Sequence, residues 1–434
     1  MARIKFLGGS REVGRSAFVI ESKSGSKLIL DYGVRFSEGD RLPENSDLND
    51  VKGIALSHCH IDHSGAIPYL YKEMEVPLYT NPLTLRISEI LIKDMIKISK
   101  YPYPFGFREL DKLRRNARFL NNGTREDLGT NFHLTFFDAG HIPGSVSIMV
   151  EVDGTRILYT GDLNTQETNL INAANSSDFP DIDVLITEST YALREHPNRK
   201  ELERELYENV RNVIDNGGNV LIPAFGVARS QEILLVLEKY DIDFPLYLDG
   251  LTRKISLNYS EFPNAFQDYQ RFRKAMKKAQ FVSKKTRKMI KDRSGGVIIA
   301  PSGMLKGGAA LEYIHMILED PFSALYLVGY QVEGTPGRKL LDEGMFEFHE
   351  NSKRYKNFGG EVIKARCDLN YYDFSSHADG SHLHDYIDAL KFRNGDKTVF
   401  CVHGDEKSAT TLAKDLVNKG FNSVAPETGE IYKI

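Results

Sequence analysis

The most constraining feature of the sequence is the segment LSHCHIDHSG at residues 56–65, which places three histidines and one aspartate within six positions. The apolar run at residues 51–56 predicts a buried strand that delivers these side chains into a loop. Imidazoles and carboxylates bind zinc, manganese and iron, and pairs of such ions recur in hydrolytic sites. Surface histidines are the alternative, but ligand-type residues at this density have little structural use. The segment therefore predicts a metal centre with the candidate ligands His58, His60, Asp62 and His63.

Other apolar segments of the chain also end in a side chain that can bind a metal. A carboxylate has two oxygens, so Asp162 at one strand end is the candidate bridge between two ions. Asp31 ends the strand before the histidine cluster and suits a carboxylate that orients a ligating histidine. A fold that closes on itself would bring these residues to one site. The remaining candidates are His141, Glu188, His377 and His403.

The cysteines point away from a cysteine-based site. The chain has three, Cys59, Cys367 and Cys401, and none is in a CxxC pair, which argues against a disulfide framework or a cysteine zinc knuckle. Cys59 stands between two candidate ligands, but side chains alternate in an extended loop, so its thiol should point away from them.

Length and composition predict a protein of two domains. A chain of 434 residues is long for one compact domain. No apolar run approaches the roughly 20 residues of a membrane span, and the N-terminus lacks the apolar core of a signal peptide; we therefore expect a cytoplasmic protein. Strands alternate with helices between about residues 191 and 372, which predicts a parallel sheet covered by helices. The predicted domains are residues 1–192 with 373–434, and an inserted domain at 193–372.

Two features of the inserted region suggest contacts with phosphate groups. Its predicted strands end in loops rich in glycine and hydroxyl residues with arginine nearby, where open α/β sheets bind ligands. Residues 271–293 hold eleven Lys or Arg residues against one acid, in a chain whose net charge is −4. The alternative for the loops is that they are ordinary turns, and the alternative for the basic segment is a helix with a solvated surface. The candidate phosphate-binding residues are Arg229, Arg253, Lys254, Ser302, Gly303, Thr335, Gly337 and Arg338 in the loops and Lys284, Lys285, Arg287 and Lys288 in the basic segment.

The motifs together resemble the signature of the metallo-β-lactamase superfamily and its β-CASP nucleases. Asp31, the histidine cluster, His141 and Asp162 are similar to the four superfamily motifs, and Glu188, His377 and His403 are similar to the three β-CASP motifs. Residues 329–335 and 222–225 look most like the endonuclease subunit of the cleavage and polyadenylation specificity factor and its archaeal relatives. We expect no N-terminal KH extension, because the first predicted strand begins at Arg3. Ribonuclease J is the next most similar group.

The resemblance implies a fold and a metal site. The fold would be an αββα sandwich with an inserted β-CASP domain, a parallel sheet flanked by helices. The metals would be two zinc ions, with manganese as a possible substitute. One ion would be held by His58, His60 and His141, the other by Asp62, His63 and His403, with Asp162 bridging them and Asp31 behind the ligands.

The resemblance also implies a reaction. A hydroxide activated by both ions would attack the phosphorus of single-stranded RNA, and His377, oriented by Glu188, would protonate the departing 3′ oxygen. The implied catalytic residues are Asp62, Asp162, Glu188 and His377. The partners implied are RNA and either a second copy of the chain or an RNA-processing complex. Internal cleavage is favoured, and a 5′ to 3′ exoribonuclease of the ribonuclease J type and a non-catalytic RNA-binding subunit are the alternatives.

Overall fold

The computed structural model describes residues 1–36, 39, 41–99, 101–129, 131–348, 360–393 and 395–434. The strands in this part of the chain are β1 (Arg3–Gly8), β2 (Ala17–Glu21), β3 (Lys27–Leu30), β4 (Val51–Ala55), β5 (Leu78–Thr80), β6 (Ala117–Phe119), β7 (Arg125–Asp127), β8 (Phe132–Asp138), β9 (Val146–Val152), β10 (Thr155–Tyr159), β11 (Val184–Glu188), β12 (Val220–Pro223), β13 (Leu246–Leu248), β14 (Gln280–Phe281), β15 (Val297–Ala300), β16 (Ala324–Leu327), β17 (Met345–Glu347), β18 (Val362–Lys364), β19 (Asp368–Tyr371), β20 (Thr398–Val402), β21 (Asn422–Val424) and β22 (Ile431–Lys433).

The α-helices of the same residues are α1 (Ile61–Ser64), α2 (Ile67–Leu70), α3 (Pro82–Ile98), α4 (Phe107–Arg115), α5 (Arg199–Asp215), α6 (Arg229–Glu238), α7 (Leu251–Tyr259), α8 (Tyr269–Lys278), α9 (Lys284–Lys291), α10 (Ile314–Glu319), α11 (Pro336–Glu343), α12 (Gly380–Ala389) and α13 (Glu406–Asn418). Short 3-10 turns lie at Ser176–Asp178, Pro263–Ala265 and Ala309–Glu312. Within the described ranges, no helix is long and apolar enough to cross a membrane.

The chain divides into two compact units. Unit 1 comprises Met1–Glu167, Ile171–Glu195 and Ser376–Ile434. Unit 2 comprises Thr168–Leu170 and His196–Ser375 and therefore interrupts unit 1 in sequence. From the sequence, the boundaries of the inserted domain were predicted after residues 192 and 372.

Unit 1 is built on two seven-stranded sheets, ordered β22-β1-β2-β3-β4-β5-β6 and β21-β20-β11-β10-β9-β8-β7. Alternate side chains of each strand point to opposite faces, so one face of each sheet contributes to a common core. Phe18 of β2 and Ile148 of β9 belong to that shared core. The opposite faces pack elsewhere, as shown by Val19 of β2 and Met149 of β9, which lie in separate apolar clusters with helical residues.

Helices close the outer faces of the two sheets. The cluster behind the first sheet includes apolar residues of α2, α3 and α4, and the cluster behind the second includes residues of α12 and α13. Unit 1 is therefore an αββα sandwich. The layers pack through the apolar face of each helix and the apolar side chains of each strand, which recur in the sequence with the helical and the strand period.

Unit 2 contains a six-stranded sheet in the order β14-β13-β15-β12-β16-β19, and every neighbouring pair in it is parallel. One face packs against α10 and α11 in a single apolar cluster, while α6 and α7 contact β15. The predicted architecture is confirmed: an αββα sandwich is interrupted by a unit built on a parallel sheet flanked by helices.

A proline separates two short helices after the histidine cluster. Helix α1 ends at Ser64 and α2 begins at Ile67. Pro68 lacks a backbone N–H, and its ring would clash with the carbonyl of Ser64 in a continuous helix. In the first turn of a new helix the same proline is tolerated, so the chain restarts and keeps α1 short.

Candidate metal centre

Four side chains of unit 1 form the first ligand group. The Nδ1 atom of His60 lies 3.1 Å from Nε2 of His58 and 3.2 Å from Nε2 of His141. The Oδ2 atom of Asp162 lies 3.4 Å from Nε2 of His58 and 3.6 Å from Nε2 of His141. Ligand atoms around a tetrahedral zinc ion with bonds of about 2.0 Å stand about 3.3 Å apart. The donor atoms therefore match the size and chemistry of a metal site.

A second group lies on the other side of the Asp162 carboxylate. Its Oδ1 atom is 3.1 Å from Nε2 of His63 and 3.4 Å from Nε2 of His403. The Oδ2 atom of Asp62 is 3.7 Å from Nε2 of His403. Each oxygen of Asp162 thus faces a different set of imidazole nitrogens.

Two atoms at this junction are buried but make no hydrogen bond to any residue that the structure describes. They are Nε2 of His63 and Oδ1 of Asp162, and although they are 3.1 Å apart, their geometry is not that of a hydrogen bond. Buried polar atoms are normally satisfied. A bound cation would satisfy both atoms, so the residues present fit a metal.

The imidazoles are oriented through the ring nitrogen that faces away from the cluster. Nδ1 of His141 donates to the carbonyl oxygen of Ser376 at 2.6 Å. Nδ1 of His403 lies 2.8 Å from the hydroxyl of Ser16. A proton on Nδ1 leaves Nε2 with a free lone pair, which is the form a metal requires. His60 is the exception, because its Nδ1 faces the cluster.

Asp31 connects the ligands to the rest of unit 1. Its Oδ2 atom lies 2.7 Å from Nδ1 of His63 and accepts hydrogen bonds from the hydroxyls of Tyr159 and Ser57, both at 2.7 Å. Its Oδ1 atom accepts from the backbone N–H of Ser57 at 2.7 Å. Asp31 therefore contacts the candidate ligand His63, and its role behind the ligands stays a prediction.

Charge and burial set the protonation of the cluster. Burial, with the neighbouring charge of His58, lowers the pKa of His60 to about 3. Burial likewise lowers the pKa of His141 well below its usual range. Burial alone would raise the pKa of Asp162, but the positive charges of His403 and His63 outweigh it and hold that pKa well below its usual range. At His63 burial alone would lower the pKa, but Asp162 and Asp31 outweigh it and raise that pKa well above its usual range. A metal binds neutral imidazole and ionised carboxylate, so a bound ion would displace the proton of His63.

Glu188 and His377 form a pair beside the first ligand group. Nδ1 of His377 lies 2.9 and 2.8 Å from the two carboxylate oxygens of Glu188. The backbone N–H of Leu163 donates to the same carboxylate at 2.5 Å. Burial alone would lower the pKa of His377, but the charge of Glu188 outweighs it and raises the pKa to about 9. Nε2 of His377 faces Asp162 at 4.0 Å, so this pair directs a protonated nitrogen towards the site.

The sheets explain why residues distant in sequence meet. Strands β10, β11 and β20 are parallel neighbours, and Asp162, Glu188 and His403 follow or end them. The carboxyl ends of parallel strands meet at one edge of a sheet. Asp31 and His58 follow β3 and β4, a parallel pair in the other sheet.

Two turns at the site have an unusual backbone conformation. Asp31 and His403 have φ angles of 54° and 47°, in the left-handed region that few non-glycine residues adopt and that is associated with functional sites. Gly33 allows the chain to pass the histidine loop closely, since a Cβ atom there would lie 1.7 Å from the carbonyl oxygen of Asp62. Such a contact excludes any other residue.

Comparison with known proteins assigns the family. Residues 11–202 match the model of the metallo-beta-lactamase superfamily, residues 230–340 match the Beta-Casp domain, and residues 362–426 match a Zn-dependent metallo-hydrolase RNA specificity domain. A Saccharolobus solfataricus protein described as "RNase aCSPSF2" is 37% identical over 98% of this chain and 84% of its own length. The chain belongs to the β-CASP branch of the metallo-β-lactamase superfamily.

One further relative and one solved structure are also similar to this chain. "Probable RNase MJ4" of Methanocaldococcus jannaschii is 35% identical over 99% of this chain and 100% of its own. A crystal structure of an Enterococcus faecalis protein of unknown function superposes with a TM-score of 0.65 at 15% identity, over 99% of both chains. At that identity the likeness concerns the fold alone. The β-CASP family assignment agrees with the resemblance drawn from the motifs.

The predicted phosphate-binding residues all lie in unit 2, on several different loops and helices. Arg229 begins α6, Arg253 and Lys254 are exposed on α7, and Ser302 and Gly303 follow β15. Thr335 caps α11 by accepting from the backbone N–H of Arg338. Their contact with RNA stays a prediction. For Gly337 the structure gives a packing reason, because a Cβ atom there would lie 2.0 Å from Oε1 of Gln331.

The basic segment divides into inward and outward residues. The guanidinium of Arg287 makes two hydrogen bonds of 2.8 Å to the carboxylate of Asp249, which is buried. Lys284, Lys285 and Lys288 are exposed on the same helix, α9. Arg287 therefore has a structural contact that the sequence did not reveal, while the lysines remain available to a ligand.

Three residues of the site were not predicted from the sequence. Ser16 contacts His403, and Tyr159 and Ser57 contact Asp31. Tyr159 ends β10 just before Asp162, so its position at a strand end was the only local signal. Ser16 approaches His403 from a position 387 residues away in the chain, and no local pattern identifies such a partner.

Proposed function

We propose that this protein is a zinc-dependent ribonuclease that hydrolyses phosphodiester bonds of single-stranded RNA. The observation that carries the proposal is the position of Asp162, whose two oxygens face two separate sets of imidazole nitrogens. That arrangement suits two divalent ions held side by side. The names of the relatives, which describe them as RNases, support RNA as the substrate.

Each proposed ligand has a defined task. His58, His60 and His141 would hold one ion and Asp62, His63 and His403 the other, with Asp162 between them. Bound ions would lower the pKa of water so that it supplies a nucleophile near neutral pH, and would stabilise negative charge on the phosphoryl oxygens. Asp31 fixes the tautomer of His63 through its hydrogen bond to Nδ1.

His377 is the proposed general acid. Glu188 contacts its Nδ1 and favours the charged imidazolium, which leaves the proton on Nε2 directed towards the site. Donation of that proton to the departing 3′ oxygen would give products with a 3′-hydroxyl and a 5′-phosphate. Glu188 is held in turn by the backbone N–H of Leu163.

The test compares two histidine–carboxylate pairs of unit 1. His377→Ala should lower the rate of RNA cleavage by about 100-fold or more, the contribution typical of a general acid. Wild-type protein should contain about two metal ions per chain. Asp162→Ala should contain fewer ions and should not cleave RNA. His382→Ala is the matched control, because His382 also contacts a carboxylate, that of Asp379, but belongs to none of the three ligand clusters found among the described residues.

The readouts are metal analysis of purified protein and gel separation of a 5′-labelled RNA. Normal cleavage by Asp162→Ala would overturn the proposal. An equal loss in His377→Ala and His382→Ala would remove the specific role of His377 but leave the metal site in place.

A further inference from the structure

Unit 2 exposes two aromatic side chains at one edge of its parallel sheet. Phe225 follows β12 and Tyr330 follows β16, so both stand at the carboxyl ends of neighbouring parallel strands. Each is 37% exposed. Aromatic side chains offer a large apolar surface, and at the ligand-binding edge of an open α/β sheet their exposure leaves that surface available to a ligand.

The ring of Phe225 is supported from behind by glycine. A Cβ atom at Gly329 would lie 3.0 Å from Cε2 of Phe225, and a Cβ atom at Gly303 would lie 3.2 Å from the backbone nitrogen of Phe225. The side-chain amide of Gln331 donates to the carbonyl oxygens of Gly303 and Gly329 at 2.9 and 2.7 Å. These contacts fix the loops around Phe225 and therefore the position of its backbone.

Positive charge accompanies the ring at the same edge of the sheet. Lys254 lies on α7 after β13, and Lys306 lies in the loop after β15. Both side chains are exposed, and neither forms an ion pair with any described residue. An apolar ring and unpaired lysines at one edge of a sheet suit a ligand that offers both a flat base and a phosphate.

We infer that Phe225 is a stacking platform for one base of a single-stranded RNA bound to unit 2, with Lys254 and Lys306 contacting the adjoining phosphates. The inference rests on the proposed function, because it takes RNA as the ligand. Stacking on an aromatic ring tolerates every base, whereas lysine contacts to phosphate ignore the base altogether. The platform therefore binds single strands without selecting a sequence.

The main experiment uses two exposed phenylalanines at opposite ends of the sheet. Phe225→Ala should raise the Michaelis constant for a 20-nucleotide single-stranded RNA by about 5- to 10-fold, the lower part of the range for base–aromatic stacking, and should raise the dissociation constant measured by fluorescence anisotropy to the same extent. Phe322→Ala is the control, because Phe322 is 65% exposed but precedes β16 at the amino end of the sheet. Phe225→Trp should restore binding, since it restores a stacking surface.

A second measurement identifies the contact itself. RNAs that lack a single base at successive positions should bind wild-type protein less tightly when the missing base is the stacked one. That penalty should vanish in Phe225→Ala, because the ring and the base act as a pair. A double variant that carries Lys254→Gln and Lys306→Gln should instead have a smaller slope of log affinity for RNA against log salt concentration.

The outcomes separate this inference from the proposed function. If wild-type protein neither cleaves nor binds RNA, the proposed function fails. If wild-type protein cleaves RNA but Phe225→Ala behaves like Phe322→Ala, the platform is wrong and the function stands. A loss of binding in Phe225→Ala without any position-specific penalty for a missing base would also overturn the platform, and would indicate that the ring has a packing role.

Discussion

At the scale of single residues, the site depends on groups that never face the ion position. Asp31 holds His63, and Tyr159 and Ser57 hold Asp31, so the orientation of one ligand depends on a chain of buried hydrogen bonds. Partners of this kind fix both the tautomer and the direction of a ligating imidazole. Much of the affinity for metal should therefore reside in residues that do not themselves bind the ions.

Tyr159→Phe tests that dependence. Loss of the hydroxyl should cost about 1 kcal/mol of stability and weaken metal binding by about 10-fold, the lower limit for such partners. Tyr326→Phe is the matched control, because the Tyr326 hydroxyl donates to Asp368 at 2.8 Å in unit 2. Both variants should unfold at lower denaturant concentration, but only Tyr159→Phe should release metal at lower chelator concentration. Equal metal affinity in the two variants would contradict the role given to Asp31.

At the scale of elements, α9 carries two kinds of basic residue. Lys284, Lys285 and Lys288 are exposed, whereas Arg287 is paired with Asp249. Replacing the three lysines with Gln should weaken RNA binding and reduce the slope of log affinity against log salt by about 0.7 for each phosphate that is no longer neutralised. Arg287→Ala should instead destabilise the protein, since it leaves the buried Asp249 carboxylate without its charged partner. An unchanged salt slope in the lysine variant would show that these lysines do not contact the phosphates of RNA and that this face of α9 is only solvated.

The helices of unit 2 are joined by a buried ion pair. Arg199 of α5 donates to Oε1 of Glu232 of α6 at 2.6 Å, and Asn169 donates to the same oxygen. Burial alone would raise the pKa of Glu232, but the charge of Arg199 outweighs it and lowers that pKa. A carboxyl whose pKa is depressed by folding stabilises the folded state above its unfolded pKa of about 4.3.

Glu232→Gln tests this pair through its pH dependence. The variant should lose about 3 kcal/mol of stability at pH 7, the lower part of the range for breaking a buried pair. The difference from wild type should shrink as the pH falls below about 4.3, because the unfolded chain then takes up a proton at Glu232. It should disappear once the pH falls below the lower pKa of folded Glu232, where the carboxyl is neutral in both states. Glu208→Gln is the control, since Glu208 pairs with Arg204 on the exposed face of α5, and it should change stability little. Equal denaturation curves for the two variants would contradict the role of the pair.

At the scale of the whole molecule, the sequence predicted those parts of the fold that have local causes. Strand ends were visible because apolar runs stop at Asp162, Glu188 and His403, and the fold class followed from the order of such runs. The pairing of Arg287 with Asp249 was missed, because it joins residues that are 38 positions apart.

The mode of cleavage is a property of the whole molecule that depends on how RNA enters. The resemblance of residues 329–335 and 222–225 to an endonuclease subunit favours internal cleavage, and we predict that the protein cuts a circular single-stranded RNA. A circle has no 5′ end, so an enzyme that must begin at an end leaves it intact. The experiment compares circular RNA with the same sequence in linear form bearing a 5′-monophosphate or a 5′-triphosphate, with Asp162→Ala as the inactive control. Cleavage of the linear 5′-monophosphate RNA alone would identify a 5′ to 3′ exoribonuclease, because only that mode needs both a free end and a monophosphate to begin.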